Sequence, residues 1–195
     1  MKLALTILTV LVIVLALTAI GAAAAVFLTA ERPAHLVGFK QLTVQDPQDK
    51  PLDVGIWYPT DSRPGFSVIG LSPQRVASNG TVVGRNLPLI VVSHGTGGLL
   101  SSHSDTALAL ASAGFVVAAV THTGDNAQDD AYVGTPRWLI DRPRHIHLLL
   151  DYMLNDWPAR GQLDQAHIGM FGRSSKLHHK TVRERITWST GNSLL

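Results

Sequence analysis

The sequence predicts an α/β fold: an opening antiparallel hairpin, then parallel strands joined by crossover helices. Three observations carry that reading. Residues 87–92 and 115–120 are continuous apolar, β-branched runs, which suit strands buried on both faces of a sheet. Helical patterns come after them, first over residues 102–113 and then as a stripe of Ile146, Leu149, Leu150, Met153 and Leu154, spaced i, i+3, i+4, i+7 and i+8. A further strand-like run, Ile168 to Phe171, closes the series, and strands alternating with helices argue for a parallel sheet.

At 195 residues the chain is long enough for one domain. Lys and Arg number 16 against 14 Asp and Glu, a net charge of +2, and they are scattered rather than gathered into a basic stripe with aromatics between them. No nucleic-acid partner is therefore expected. The absence of cysteine excludes disulfides, thiolate metal sites and a cysteine nucleophile.

Residues 3–30 hold no charge and come directly after Lys2. A cleaved signal peptide would use the small residues 21–25 as its cut. A membrane anchor needs about 20 apolar residues, which residues 3–28 supply. The run continues through Val26, Phe27 and Leu28 beyond the alanines, which favours an uncleaved anchor. Either way the remainder is expected to be exported, in the periplasm or outside the cell, or held at the membrane.

Residues 36–58 read as two strands around the turn chemistry of Asp46 to Pro51, a hairpin that Pro59 stops. Residues 60–86, rich in Gly, Ser, Pro and Asn, read as a loop with at most one short element. Gly114 suits the position just after the first crossover helix. The second such helix is expected to open near Asp141, with Pro143 in its first turn. Asp164 would then close the loop before the last strand. Asp125, Asp129 and Asp130 read as a solvated loop rather than a metal site. His145 and His147, two apart on a helix, do not face each other and make no ligand pair. Trp57 and Tyr58 read as packing residues.

The chemistry-bearing stretches sit at two strand ends. Glycines in Ser93-His94-Gly95-Thr96-Gly97-Gly98 let the backbone turn sharply after a strand and bare its N–H groups. Gly172-Arg173-Ser174-Ser175-Lys176 matches a nucleophile elbow, G-x-S-x-G, except for its last glycine. Acyl transfer by a serine needs a nucleophile, an oriented base and N–H donors for the developing oxyanion. Ser174 is the candidate nucleophile, and the N–H groups of Thr96 and Ser175 are the candidate donors. His94 and Gly95 form the oxyanion turn, where His94 is read as structural because it precedes the donor.

The ordered set Ile56-Trp57-Tyr58-Pro59-Thr60, Ser93-His94-Gly95-Thr96-Gly97-Gly98, Ala113-Gly114-Phe115-Val116-Val117-Ala118, Gly124-Asp125-Asn126, Arg142-Pro143-Arg144 and Ile168-Gly169-Met170-Phe171-Gly172-Arg173-Ser174 resembles the α/β-hydrolases. Within them it is most similar to the predicted dienelactone hydrolases and the platelet-activating-factor acetylhydrolases. The resemblance covers residues 36–175. It implies a serine hydrolase of carboxylic esters, with a small ester or lactone as substrate and no cofactor or metal. It makes residues 31–175 the N-terminal portion of an α/β-hydrolase sheet, incomplete at its C-terminal side.

Residues 176–195 depart from that pattern. In this fold the acid and then the histidine of the triad come after the nucleophile. The tail contains no Asp, its one acid is Glu184, and His178 and His179 come too soon to return to Ser174. Lys176 crowds the strained turn. The expectation is a chain truncated or frameshifted after Ser175, with little triad-dependent activity. The competing reading is a non-catalytic, membrane-associated binding or assembly protein.

Overall fold

The computed structural model describes residues 2–172. Its first element, α1 (Lys2–Thr29), is a single apolar helix, and from Leu5 to Thr29 its side chains are exposed. Its segment Leu5–Thr29 is long and apolar enough to cross a membrane, about 38 Å at 1.5 Å per residue.

Beyond α1 the chain forms a seven-stranded mixed sheet. Strands β1 (Val37–Val44) and β2 (Leu52–Pro59) form the expected hairpin, paired from Val37 with Pro59 to Val44 with Leu52. The stretch read as a loop holds a second hairpin instead, β3 (Gly65–Ile69) with β4 (Ser72–Ser78). Its turn residues mark the ends of two short strands: Gly70 and Asn79 both have positive φ, 63° and 55°. The inward positions Ile69, Gln74 and Val76 are buried, while Phe66 and Val68 face out. Prolines and serines dilute the apolar residue at every second position, so the strand period is masked in the sequence.

Strand β5 (Leu87–Ser93) leads to α2 (Ser104–Ser112), β6 (Val116–Thr121), α3 (Pro136–Asp151) and β7 (Leu163–Gly172). The spatial order is β3-β4-β1-β2-β6-β5-β7. β5 runs parallel to both β6 and β7, and β2 is antiparallel to both β1 and β6. The ends of β1, β5, β6 and β7 therefore lie at one edge. Gly114 sits at φ 99° and its N–H donates to Ala111 O, as a residue just past a helix should.

Two helices close the sheet from opposite sides. Leu89, Val91, Ala118 and Val120 point to the face covered by Ile146 and Leu149 of α3 and by Met153 in the turn that continues it. Ile90, Val92, Val117 and Ala119 point to the face covered by Ala107, Leu108 and Ala111 of α2. Each fully buried Val, Leu or Ile contributes about 1.5–3 kcal/mol relative to exposure.

Two boundaries differ from expectation. α3 begins five residues before Asp141, with Pro136 in its first turn, so Pro143 lies inside the helix. β7 begins at Leu163 and takes in Asp164, which pairs with Pro88 ahead of an irregularity between Pro88 and Leu89.

Candidate active site

The site is assembled from the turns at the C-terminal ends of β5 and β6. Ser93 ends β5 and is buried, and the chain then turns through His94 to Gly98. Gly97 adopts φ 70°, a left-handed conformation that favours glycine. Gly98 has no room for a side chain: a Cβ there would lie 2.8 Å from His94 and 2.8 Å from Ser102 Oγ. Gly98 N–H donates to Gly95 O at 3.0 Å, which closes the turn. Thr96 lies exposed at its crest, and among the described residues nothing accepts a hydrogen bond from its N–H.

His94 is buried under this turn. Its Nδ1 lies 2.6 Å from Gly95 O, and its Nε2 accepts from His122 N–H at 3.0 Å. Those partners fix one neutral tautomer, with the proton on Nδ1. Burial pushes the imidazole pKa down against the opposing pull of the Gly95 carbonyl. His94 is thus a brace between two loops.

The turn is clamped from the β6 side. Asp125, expected in a solvated loop, is buried. Its Oδ1 accepts from Gly97 N–H at 3.2 Å, and its Oδ2 accepts from Trp138 Nε1 at 2.5 Å and from Arg142. Arg142 also donates to Ser93 Oγ at 3.0 Å and to the His94 carbonyl. One guanidinium on α3 therefore ties the end of β5 to the loop after β6. Asp129 pairs with Lys50 at the surface, and among the described residues no group of side chains suits a metal ion.

Behind the clamp runs a chain of buried side chains. Ser93 Oγ lies 2.8 Å from His122 Nε2, His122 Nδ1 lies 3.2 Å from His145 Nδ1, and His145 Nε2 lies 3.5 Å from Asp46 Oδ2. Since Ser93 Oγ accepts from Arg142, its own hydrogen is free to point at His122. That order hands one proton along each link and brings a His145 N–H to Asp46 Oδ2. Arg144, 3.3 Å from the same His145 nitrogen, suits the reverse order.

Burial drives the His122 pKa far down, with the Arg142 charge adding to it, and burial with Arg144 lowers that of His145. Burial alone would raise the Asp46 carboxyl, but hydrogen bonds from Arg144 and from Gln48 N–H hold it below the ordinary carboxylate range. The edge therefore holds three neutral imidazoles beside paired ions. His147 is exposed on the other side of α3, so the two helix histidines do not meet. Trp57 and Tyr58 are buried packing residues, each with its polar atom satisfied, by Gln74 Oε1 and Gly80 O.

On the other flank of β5, β7 runs parallel, and Gly172 pairs with Ser93. Ser174, Ser175 and Lys176 lie outside the described residues. A family profile described as platelet-activating factor acetylhydrolase, isoform II, matches residues 68–143. A ferulic acid esterase from Streptomyces cinnamoneus superposes with a TM-score of 0.62 at 21% identity, over 75% of this chain and 56% of its own. The chain has an α/β-hydrolase fold. An acetyl xylan esterase from Paenibacillus sp. R4 gives a TM-score of 0.36 at 18% identity, over 79% of this chain and 50% of its own. The chain spans about half the length of these two proteins. No curated protein matches it in sequence.

Sequence reasoning reaches the His94–Gly98 turn of this sheet and misses Asp46, His122, Asp125, Arg142 and His145. A signal for two of them exists. Gly124-Asp125-Asn126 and Arg142-Pro143-Arg144 both belong to the motif set that carries the resemblance, yet the motifs alone assign neither a task.

Proposed function

We propose that the chain is a serine esterase by lineage, exported or anchored at a membrane, with Ser174 as nucleophile. Ser174 Oγ would attack the acyl carbon of a small ester or lactone. The oxyanion would be held by the N–H groups of Thr96 and Ser175, and an acyl-enzyme would pass to water. Neither a metal nor a cofactor has a part in this reaction.

One observation supports it above the others: Gly172 lies opposite Ser93 on a parallel neighbour. Adjacent strands lie about 4.8 Å apart, so the chain leaving β7 starts beside the turn after β5. The open N–H of Thr96 on that turn is in keeping with a donor. His94, His122 and His145 are buried and engaged, which leaves none of these three available as a base, while the His103 ring stands edge-on to Phe171 at 5.0 Å. Ester turnover by this chain alone is expected near background.

A fluorophosphonate probe and a chromogenic acetyl ester, applied to the full chain, test the proposal. Slow labelling that maps to Ser174 and disappears in Ser174→Ala is expected. Labelling elsewhere, or turnover that survives Ser174→Ala, overturns it. A folded chain that takes no label favours the non-catalytic, membrane-associated binding reading, which the exposed apolar helix α1 supports.

A further inference from the structure

The end of α1 is fastened to the β3–β4 hairpin. The Phe27 ring lies 5.6 Å from Phe66 and beneath the guanidinium of Arg75, 4.2 Å from the ring centroid. Phe66 and Arg75 are cross-strand partners, so both project from the outer face of the hairpin. Backbone bonds extend the joint: Glu31 N–H donates to Pro73 O at 2.9 Å, and Arg75 N–H donates to Glu31 O at 2.8 Å.

Beside this joint is an open cavity of about 240 Å³ lined by Arg32, Pro33, Leu36, Pro64 and Arg75. Two arginines thus line an otherwise apolar hollow. Among the described residues no carboxylate pairs with either arginine. Arg75 Nε is buried with no hydrogen-bond partner. A buried donor left unmade costs free energy, and for an arginine the fitting partner is a doubly accepting oxyanion. Planar guanidinium groups match phosphate in that way.

Position selects the source of the phosphate. With α1 across a bilayer, its last turn reaches the headgroup layer, where Arg32 and Arg75 would stand among lipid phosphates. The hairpin adds apolar surface, with Phe66, Val68 and Leu71 all exposed and Phe66 against the helix end.

We propose that this cavity binds the phosphate of a phospholipid headgroup in the leaflet at the C-terminal end of α1, with the acyl chains along α1. The site shares no residue with the His94–Gly98 turn. It rests on the reading that α1 stays in the membrane.

The full chain, purified in mild detergent and titrated with phosphatidylglycerol, tests it by native mass spectrometry. At least a tenfold loss of bound lipid is expected in Arg32→Gln and in Arg75→Gln, with diacylglycerol bound weakly by all forms. Arg32 is exposed, so Arg32→Gln keeps the test valid if Arg75→Gln fails to fold. Lipid occupancy unchanged in Arg32→Gln overturns the proposal, as does diacylglycerol binding equal to that of the phospholipid. Inorganic phosphate that displaces the lipid at low concentration points to a free anion as ligand and also overturns it. Carbonate extraction reads the anchoring separately: a wild-type chain washed from membranes overturns the anchor and the headgroup site with it. A chain that stays in the membrane but has lost arginine-dependent lipid binding overturns the site alone.

Discussion

Arg142 and Asp125 are the residues on which the candidate oxyanion turn depends most. Replacing Arg142 by Met leaves a buried carboxylate facing only Trp138 and Gly97, a loss of about 3–5 kcal/mol. Urea unfolding should show this, and the double substitution D125N/R142M should cost less than the sum of the single ones, because the stranded charge is then gone. The buried histidines make stability depend on pH. Their folded pKa values lie below the ordinary value, so the unfolded chain takes up protons first as pH falls. Their contribution is fully present above about pH 6.5 and is lost below it, most steeply for His122, at up to about 1.4 kcal/mol per pH unit. Unfolding midpoints measured from about pH 7.5 to 5.5, spanning the ordinary histidine pKa, should fall steeply, and His122→Gln should flatten the curve. A curve already flat in the wild type would count against neutral imidazoles at these positions.

At the scale of elements, Pro143 invites a direct test. It is exposed inside α3, where it offers no N–H to the helix ladder. Pro143→Ala should stabilise the protein by about 1–2 kcal/mol and raise the thermal midpoint, since alanine is the better helix former by about 3 kcal/mol and the freer unfolded chain gives part of that back. The same proline explains why the helix start is misplaced in the sequence reading: taken as an N-terminal signal, it hides Pro136, which holds that position. The central strands are legible because burial on both faces writes an unbroken apolar run, as in residues 87–92. The β3–β4 hairpin is not, because one of its inward positions Ile69, Gln74 and Val76 is polar and the next residue, Ala77, is buried too, which blurs the period of two. Asp125 is misread for a related reason. Its burial is decided by Trp138 and Arg142, and nothing in the loop itself announces them. The His94–Gly98 turn, by contrast, carries its own local requirement for glycine and is plain from its residues.

At the scale of the whole molecule, the buried acids and histidines among the described residues gather at one edge of the sheet. Asp46 lies past the end of β1, His94 past β5, and His122 and Asp125 past β6, while Arg142, Arg144 and His145 reach down from α3. Arg144 and Asp46 lie 98 residues apart in sequence, and Gly97 and Asp125 lie 28 apart. Contacts so distant can form only after β1, β5 and β6 have already come together, because the closure entropy of every intervening loop must be met first. The clamp should therefore be absent from the folding transition state and be made on its native side. Stopped-flow experiments on detergent-solubilised chain should find that Arg142→Met speeds unfolding while leaving the refolding rate nearly unchanged, a φ-value near zero. A refolding rate that slows in step with the lost stability would place the clamp in the nucleus instead. With a φ-value near zero, the Arg142–Asp125 clamp acts as a latch on the finished domain: it sets how long the native edge lasts, and it has no part in how quickly the sheet is found.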